Sequence, residues 1–128
     1  MDDIDAKVSL SLPADPGSIS VVRAVVASVA SKLDLSYDSV DDLRIAVAEA
    51  AAMLLSPGAA GARLCVDLDP GDAGLRLTIW VEGSPGPDLS DRDGLAWRVM
   101  EGLTDEAVVR ERDGGGSAIE LLLRAVPQ

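Results

Sequence analysis

Between Val40 and Leu54, apolar side chains recur at positions 40, 43, 47, 50 and 54. This three-four spacing marks an amphipathic helix with a single buried stripe, so the rest of the chain has to cover that stripe. Glu49 lies off the stripe, in line with Asp42 above it and Met53 one turn below. A lone acid among small and apolar neighbours is either solvated or faces a pocket. Which of the two holds bears directly on what the chain can do.

The segments around this helix define its partners. Lys7 to Leu12 alternates as a short strand that ends at Pro13 and the turn-forming Asp15-Pro16-Gly17. A helix capped by Ser18 or Ser20 is expected to run to about Leu33, with Ile19, Val22, Val26, Val29 and Leu33 on its apolar side. The second helix is expected to reach about Leu55, with Ser39 and Asp42 in a capping arrangement and Asp41 and Asp42 in its first turn. Pro57-Gly58 breaks it.

Two strands, Ala62 to Leu68 and Gly74 to Val81, form a hairpin around Pro70-Gly71-Asp72. Gly83 to Asp93 is too rich in Gly, Pro, Ser and Asp for regular structure. A third helix is expected over Leu95 to Leu103. A final pair of strands, Glu106 to Arg112 and Ser117 to Ala125, is joined by Asp113-Gly114-Gly115-Gly116. The order β-α-α-β-β-α-β-β predicts an α+β fold, a two-layer α/β sandwich in which helices cover one face of a mostly antiparallel sheet. With no repeat or linker, residues 1–128 are expected to form one domain.

Phe is absent, and Tyr37, Trp80 and Trp97 are the only aromatic residues, so the core has to be built from Val, Leu, Ile and Ala. A formal charge of −11 argues against direct binding to nucleic acid or an anionic membrane and favours partners with basic surfaces. Cys65 is the only cysteine, which removes an internal disulfide and a cysteine zinc site; it is expected to be a small buried hydrophobe. The absence of His removes Ser-His and Cys-His catalysis and histidine metal sites. Met1-Asp2-Asp3 opens no signal sequence and no apolar run reaches a membrane span, so a cytoplasmic location is expected.

Three segments carry a family resemblance. Val40 to Leu54, with Asp-Asp-Leu-Arg-Ile-Ala-Val-Ala-Glu-Ala, resembles the helix that bears the N box of the bacterial anti-sigma-factor serine kinases. These are the RsbW and SpoIIAB type, within the GHKL or Bergerat ATPase superfamily. The other two segments are Val21 to Ser28, and Gly94 to Met100 followed by Leu103-Thr104-Asp105-Glu106, which is similar to the segment after the family's ATP lid. The resemblance spans about Lys7 to Arg124 and is that of a degenerate, actinobacterial-like member.

The resemblance implies a histidine-kinase-like ATPase fold and a role in holding a sigma factor away from RNA polymerase. An anti-sigma-factor antagonist and a homodimer come with it. It places Glu49 at the general-base position and Arg23 on the surface that meets the sigma factor. Met53 stands where the family has a magnesium-binding Asn, and a thioether is a poor ligand for a hard cation.

The adenine-binding D-x-G-x-G motif is matched best by Glu82, Ser84 and Gly86, and the lid G-x-G by Gly94-Leu95-Ala96. Gly116-Ser117 stands in for a later Gly-Thr pair. Arg92 is the one cation in the short lid segment. The implied cofactors are ATP and magnesium, with tight binding not expected. Three functions stay open: a sigma-sequestering regulator, an ATP-dependent serine-protein kinase, and a dimeric scaffold for another protein.

Overall fold

The computed structural model describes residues 7–33, 35–55, 61–71, 74–84, 86–90 and 93–124. Pro57-Gly58, Asp72, Arg92 and Ala125, which figure in the expectations above, lie outside the described residues. The elements are β1 (Val8–Pro13), α1 (Ser18–Ala30), α2 (Tyr37–Leu54), β2 (Arg63–Gly71), β3 (Gly74–Glu82), α3 (Leu95–Leu103), β4 (Glu106–Glu111) and β5 (Ser117–Arg124). The strands form one five-stranded sheet in the order β1-β2-β3-β5-β4, antiparallel at every pairing. The expected α+β sandwich is the observed one.

Register puts most of the apolar residues of the strands on one face. Val8 pairs with Leu68, Leu68 with Leu77, Leu77 with Leu121, and Leu121 with Ala107, forming one continuous row. A second row runs through Leu10, Val66, Ile79, Ile119 and Val109. Because side chains alternate along a strand, these rows share a face, and a slip of one residue would turn all of them to solvent. Val22, Val26, Leu43, Val47 and Leu54 of the helices join Leu64, Val66, Leu77, Ile79 and Leu121 of the sheet in one buried core.

The opposite face is largely polar, and its only apolar cluster among the described residues is Cys65, Trp80 and Ala118. Burial raises the Cys65 thiol pKa above its ordinary value, with a hydrogen bond to Ser11 acting in the opposite direction. Cys65 is therefore buried as expected, beneath the outer face. On the same face Arg76 and Arg110 both pair with the Glu120 carboxylate, Arg110 at 3.7 Å.

The helix ends differ from the sequence expectation. Helix α1 stops at Ala30, and Gly17 occupies the cap position without a side-chain cap. Ser18 Oγ donates instead to the Pro13 carbonyl at 2.7 Å, and Ser20 Oγ to the Gly17 carbonyl at 3.2 Å. Both serines lie inside the helix, past its cap, and their hydroxyls donate back to the preceding turn. Helix α2 starts earlier than expected. Ser36 caps it by accepting from the Ser39 amide at 3.1 Å, so Asp38 stands in the first turn and Asp41 and Asp42 in the next.

Candidate nucleotide-type site between helix α2 and the end of strand β3

Helix α2 packs along both α1 and α3 and carries the acid that opened the sequence reading. Its buried residues are Leu43, Ala46, Val47, Ala50, Ala51 and Leu54, which places Glu49 at the edge of the stripe, half-buried. The Glu49 carboxylate makes no ion pair or side-chain hydrogen bond with the described residues. Met53, one turn on, packs against the core. Leu89, Trp97 and Met100 are buried in that same core, and Trp97 is only 3% exposed. The core beside the α2 stripe thus includes a thioether, an indole and aliphatic side chains.

The end of β3 decides what the sheet presents to this neighbourhood. Leu75, Leu77 and Ile79 face the helices, and by alternation Val81 does too; Val81 is packed against the helical core. Glu82 points to the other face. There its Oε1 accepts from Trp80 Nε1 at 3.1 Å and lies 4.0 Å from Arg112 Nη2. The guanidinium of Arg112 sits over the Trp80 ring, 3.9 Å from its centroid. Glu49 and Glu82, two acids that the sequence reading assigned to one pocket, thus lie on opposite faces of the sheet.

A cleft of about 490 Å³ opens at this end of the sheet, lined by Val81 to Ser84 and by Arg112 to Gly116. It brings Glu82 and Gly116 together. Glu49, Gly86, Gly94, Ala96 and Ser117 are not among its lining residues. Ser117 Oγ donates to Glu111 at 3.3 Å. Gly94 has an ordinary extended conformation as the cap of α3, and a Cβ there would meet open space. Gly83 is different. Its φ of +87° is left-handed, and a Cβ would come within 3.3 Å of the Ala62 backbone.

Magnesium-bound nucleotide needs oxygen ligands and convergent donors for phosphate. Among the described residues no group of His, Cys, Asp or Glu is placed to hold a metal ion. The cleft offers Arg112, already engaged by Trp80 and Glu82, beside the acids Glu82 and Asp113. The donor set fits magnesium nucleotide poorly. Arg112 and Val81 went unremarked in the sequence reading: Arg112 reads as the end of a strand, and only the pleat shows which of Val81 and Glu82 faces the helices.

Residues 12–122 match the model of the histidine kinase-like ATPase domain. The chain belongs to this family. Among named relatives, this histidine kinase-like ATPase domain is similar to anti-sigma-F factor RsbW of Mycobacterium tuberculosis, 28% identical over 125 residues, covering 92% of this chain and 72% of that protein. It is also similar to the anti-sigma F factor of Clostridium acetobutylicum, 28% identical over 134 residues, covering 91% of this chain and 92% of that protein. A shorter match, 40% identical over 43 residues and 34% of this chain, is to serine-protein kinase RsbW of Bacillus velezensis, of which it covers 27%. Among the described residues, no helix of the domain is long and apolar enough to cross a membrane.

Proposed function

We propose that this histidine kinase-like ATPase domain is an anti-sigma-factor-like regulator that binds and sequesters an RNA polymerase sigma factor without relying on tightly bound ATP. The observation that carries the reading is Arg23. It is the only charged residue of α1, and its Nε is buried with no hydrogen-bond partner. The residue as a whole is half-buried, so an acid supplied by a partner would meet the remaining guanidinium nitrogens and hold the side chain in place. In a chain with twice as many acids as bases, an arginine that pairs with no acid among the described residues is a natural anchor for an acid on another protein. The names of the relatives supply the partner's class.

The packing of Met53 against the core that holds Trp97 and Leu89 supports independence from nucleotide, since no oxygen ligand stands one turn from Glu49. Release would then follow from competition by an antagonist protein, with no phosphorylation step. Pull-down with sigma factors of the same organism tests the reading. Arg23→Glu should lose capture while the protein stays folded. Equal capture by wild type and variant would remove Arg23 from the interface, and failure of the wild type to capture any sigma factor would overturn the reading.

A serine-protein kinase is the second reading, favoured by one observation: the Glu49 carboxylate is half-buried and pairs with none of the described residues, which leaves it available as a general base. Thermal unfolding separates the two. A nucleotide held at one hundred times its dissociation constant would add about 2.7 kcal/mol. A shift of several degrees at millimolar Mg-ATP would establish the kinase reading over the first.

A further inference from the structure

Where α1 turns into α2, the surface holds a pocket of about 280 Å³ lined by Ser31, Leu35, Tyr37 and Val40. Its size limits what can enter. A cavity of roughly 150 Å³ accommodates benzene, whereas cofactor and drug sites run from about 300 to 1,000 Å³ and enclose most of their ligand. A half-open pocket of this volume suits one large side chain. Leu35, Val40 and the Tyr37 ring give it apolar walls; beside the Tyr37 phenol, its polar group is the Ser31 hydroxyl, which donates to the Ser28 carbonyl at 3.1 Å.

Tyr37 stands at the mouth of the pocket and is 93% exposed, the most exposed large apolar side chain among the described residues. An aromatic ring left in water beside an apolar hollow is the arrangement that protein interfaces bury at their centres. The surroundings select the charge of whatever brings the anchor. Among the described residues from Ser31 to Arg44, Asp38, Asp41 and Asp42 stand against Lys32 and Arg44, and the Arg44 guanidinium is already 3.3 Å from Asp41. The whole chain adds a net charge of −11 to this local excess, which steers basic partners.

We propose that this pocket holds a single large apolar side chain carried on a basic segment of a protein partner. The proposal rests on the capture reading above for the identity of that partner, and adds a second contact to it. Arg23 and Ser31 are eight residues apart along α1 and its cap, or about 12 Å at the helical rise. The captured protein therefore presents an acid for Arg23 and, about 12 Å away, a basic stretch bearing the apolar anchor. The two ends carry opposite charges, so they fix the direction in which the partner lies across the helices.

The pocket is tested directly with short peptides and isotope-labelled full-length chain. In an NMR titration, acetyl-Lys-Lys-Trp-Lys-Lys-amide should shift the amides of Ser31, Leu35, Tyr37 and Val40, with affinity falling as salt is raised. The same peptide with Ala for Trp, and the counterpart with Glu for every Lys, should bind at least tenfold more weakly. Tyr37→Ala should weaken the basic peptide at least tenfold in a chain whose spectrum stays folded.

Shifts centred elsewhere, equal binding of the acidic peptide, or no effect of Tyr37→Ala would overturn the pocket assignment. Peptide binding at the pocket by a wild-type chain that captures no sigma factor would uphold the pocket and overturn only the capture reading. Sigma-factor capture that Tyr37→Ala leaves undiminished would overturn the second contact and leave the role of Arg23 standing.

Discussion

Arg112 lies over the Trp80 indole at 3.9 Å from the ring centroid and reaches Glu82, the acid that accepts the Trp80 N–H. Three residues from the end of β3 and the start of the glycine turn thus hold one another on the outer face of the sheet. Arg112→Ala should lower stability by about 0.5–1 kcal/mol, the usual worth of such a contact where it is partly exposed. Urea unfolding measures it. Arg112→Lys should recover only part of the loss, because an ammonium lacks the flat guanidinium that stacks on the ring.

Ser36→Ala should cost about 1 kcal/mol. Ser36 Oγ satisfies the Ser39 amide at the first turn of α2, and alanine cannot replace it. The same unfolding curve should keep its slope while its midpoint falls.

Gly83→Ala should cost about 1–2 kcal/mol, since the backbone there is left-handed and the added methyl meets the Ala62 backbone at 3.3 Å. Gly94→Ala serves as the control. Its backbone is ordinary and the methyl would meet nothing, so its midpoint should move little.

Cys65 should react slowly with iodoacetamide at pH 8, because burial raises its thiol pKa above the ordinary 9.0. The sign of the stability effect follows from the same shift. Below the unfolded value both states keep the proton. Above it the unfolded chain ionises first, so the folded state loses stability as pH rises through the unfolded pKa toward the folded one. Cys65→Ala should remove that alkaline loss in melts compared at pH 8 and pH 10.

Met53→Asn should not create tight Mg-ATP binding. It supplies an amide oxygen one turn from Glu49, but Val81 stays apolar and Glu82 stays on the other face. Placing an amide against the core should also lower stability by about 1–3 kcal/mol. Calorimetric titration with Mg-ATP reads the binding, and a thermal melt reads the cost. Micromolar binding by the variant would show that only the metal ligand had been missing.

The elements were legible where a period was long enough to read. The stripe of α2 gave Val40, Leu43, Val47, Ala50 and Leu54; the last four are buried, and Val40, in the first turn, is half-buried against the core. The β2–β3 hairpin and the β4–β5 hairpin followed from alternation with turn residues between them. Helix ends were less legible. Several serines near α1 and α2 could each cap a helix, and the choice depends on where the turn starts the helix: Ser18 is already the first residue of α1, its Oγ donating to the Pro13 carbonyl at 2.7 Å.

By itself the sequence determined the fold class, the family likeness, and the identities of Glu49 and Met53 one turn apart on α2. These depend on local periods and on residue chemistry, which a chain carries without its tertiary structure. Only the tertiary structure decided that Glu82 faces away from Glu49 and that Val81 takes the inner place. That choice rests on sheet register, where a shift of one residue exchanges the two faces, and register is set by pairing with distant strands. Burial of the Arg23 Nε without an acceptor, and the open pocket beside Tyr37, likewise came from how α1 and α2 pack.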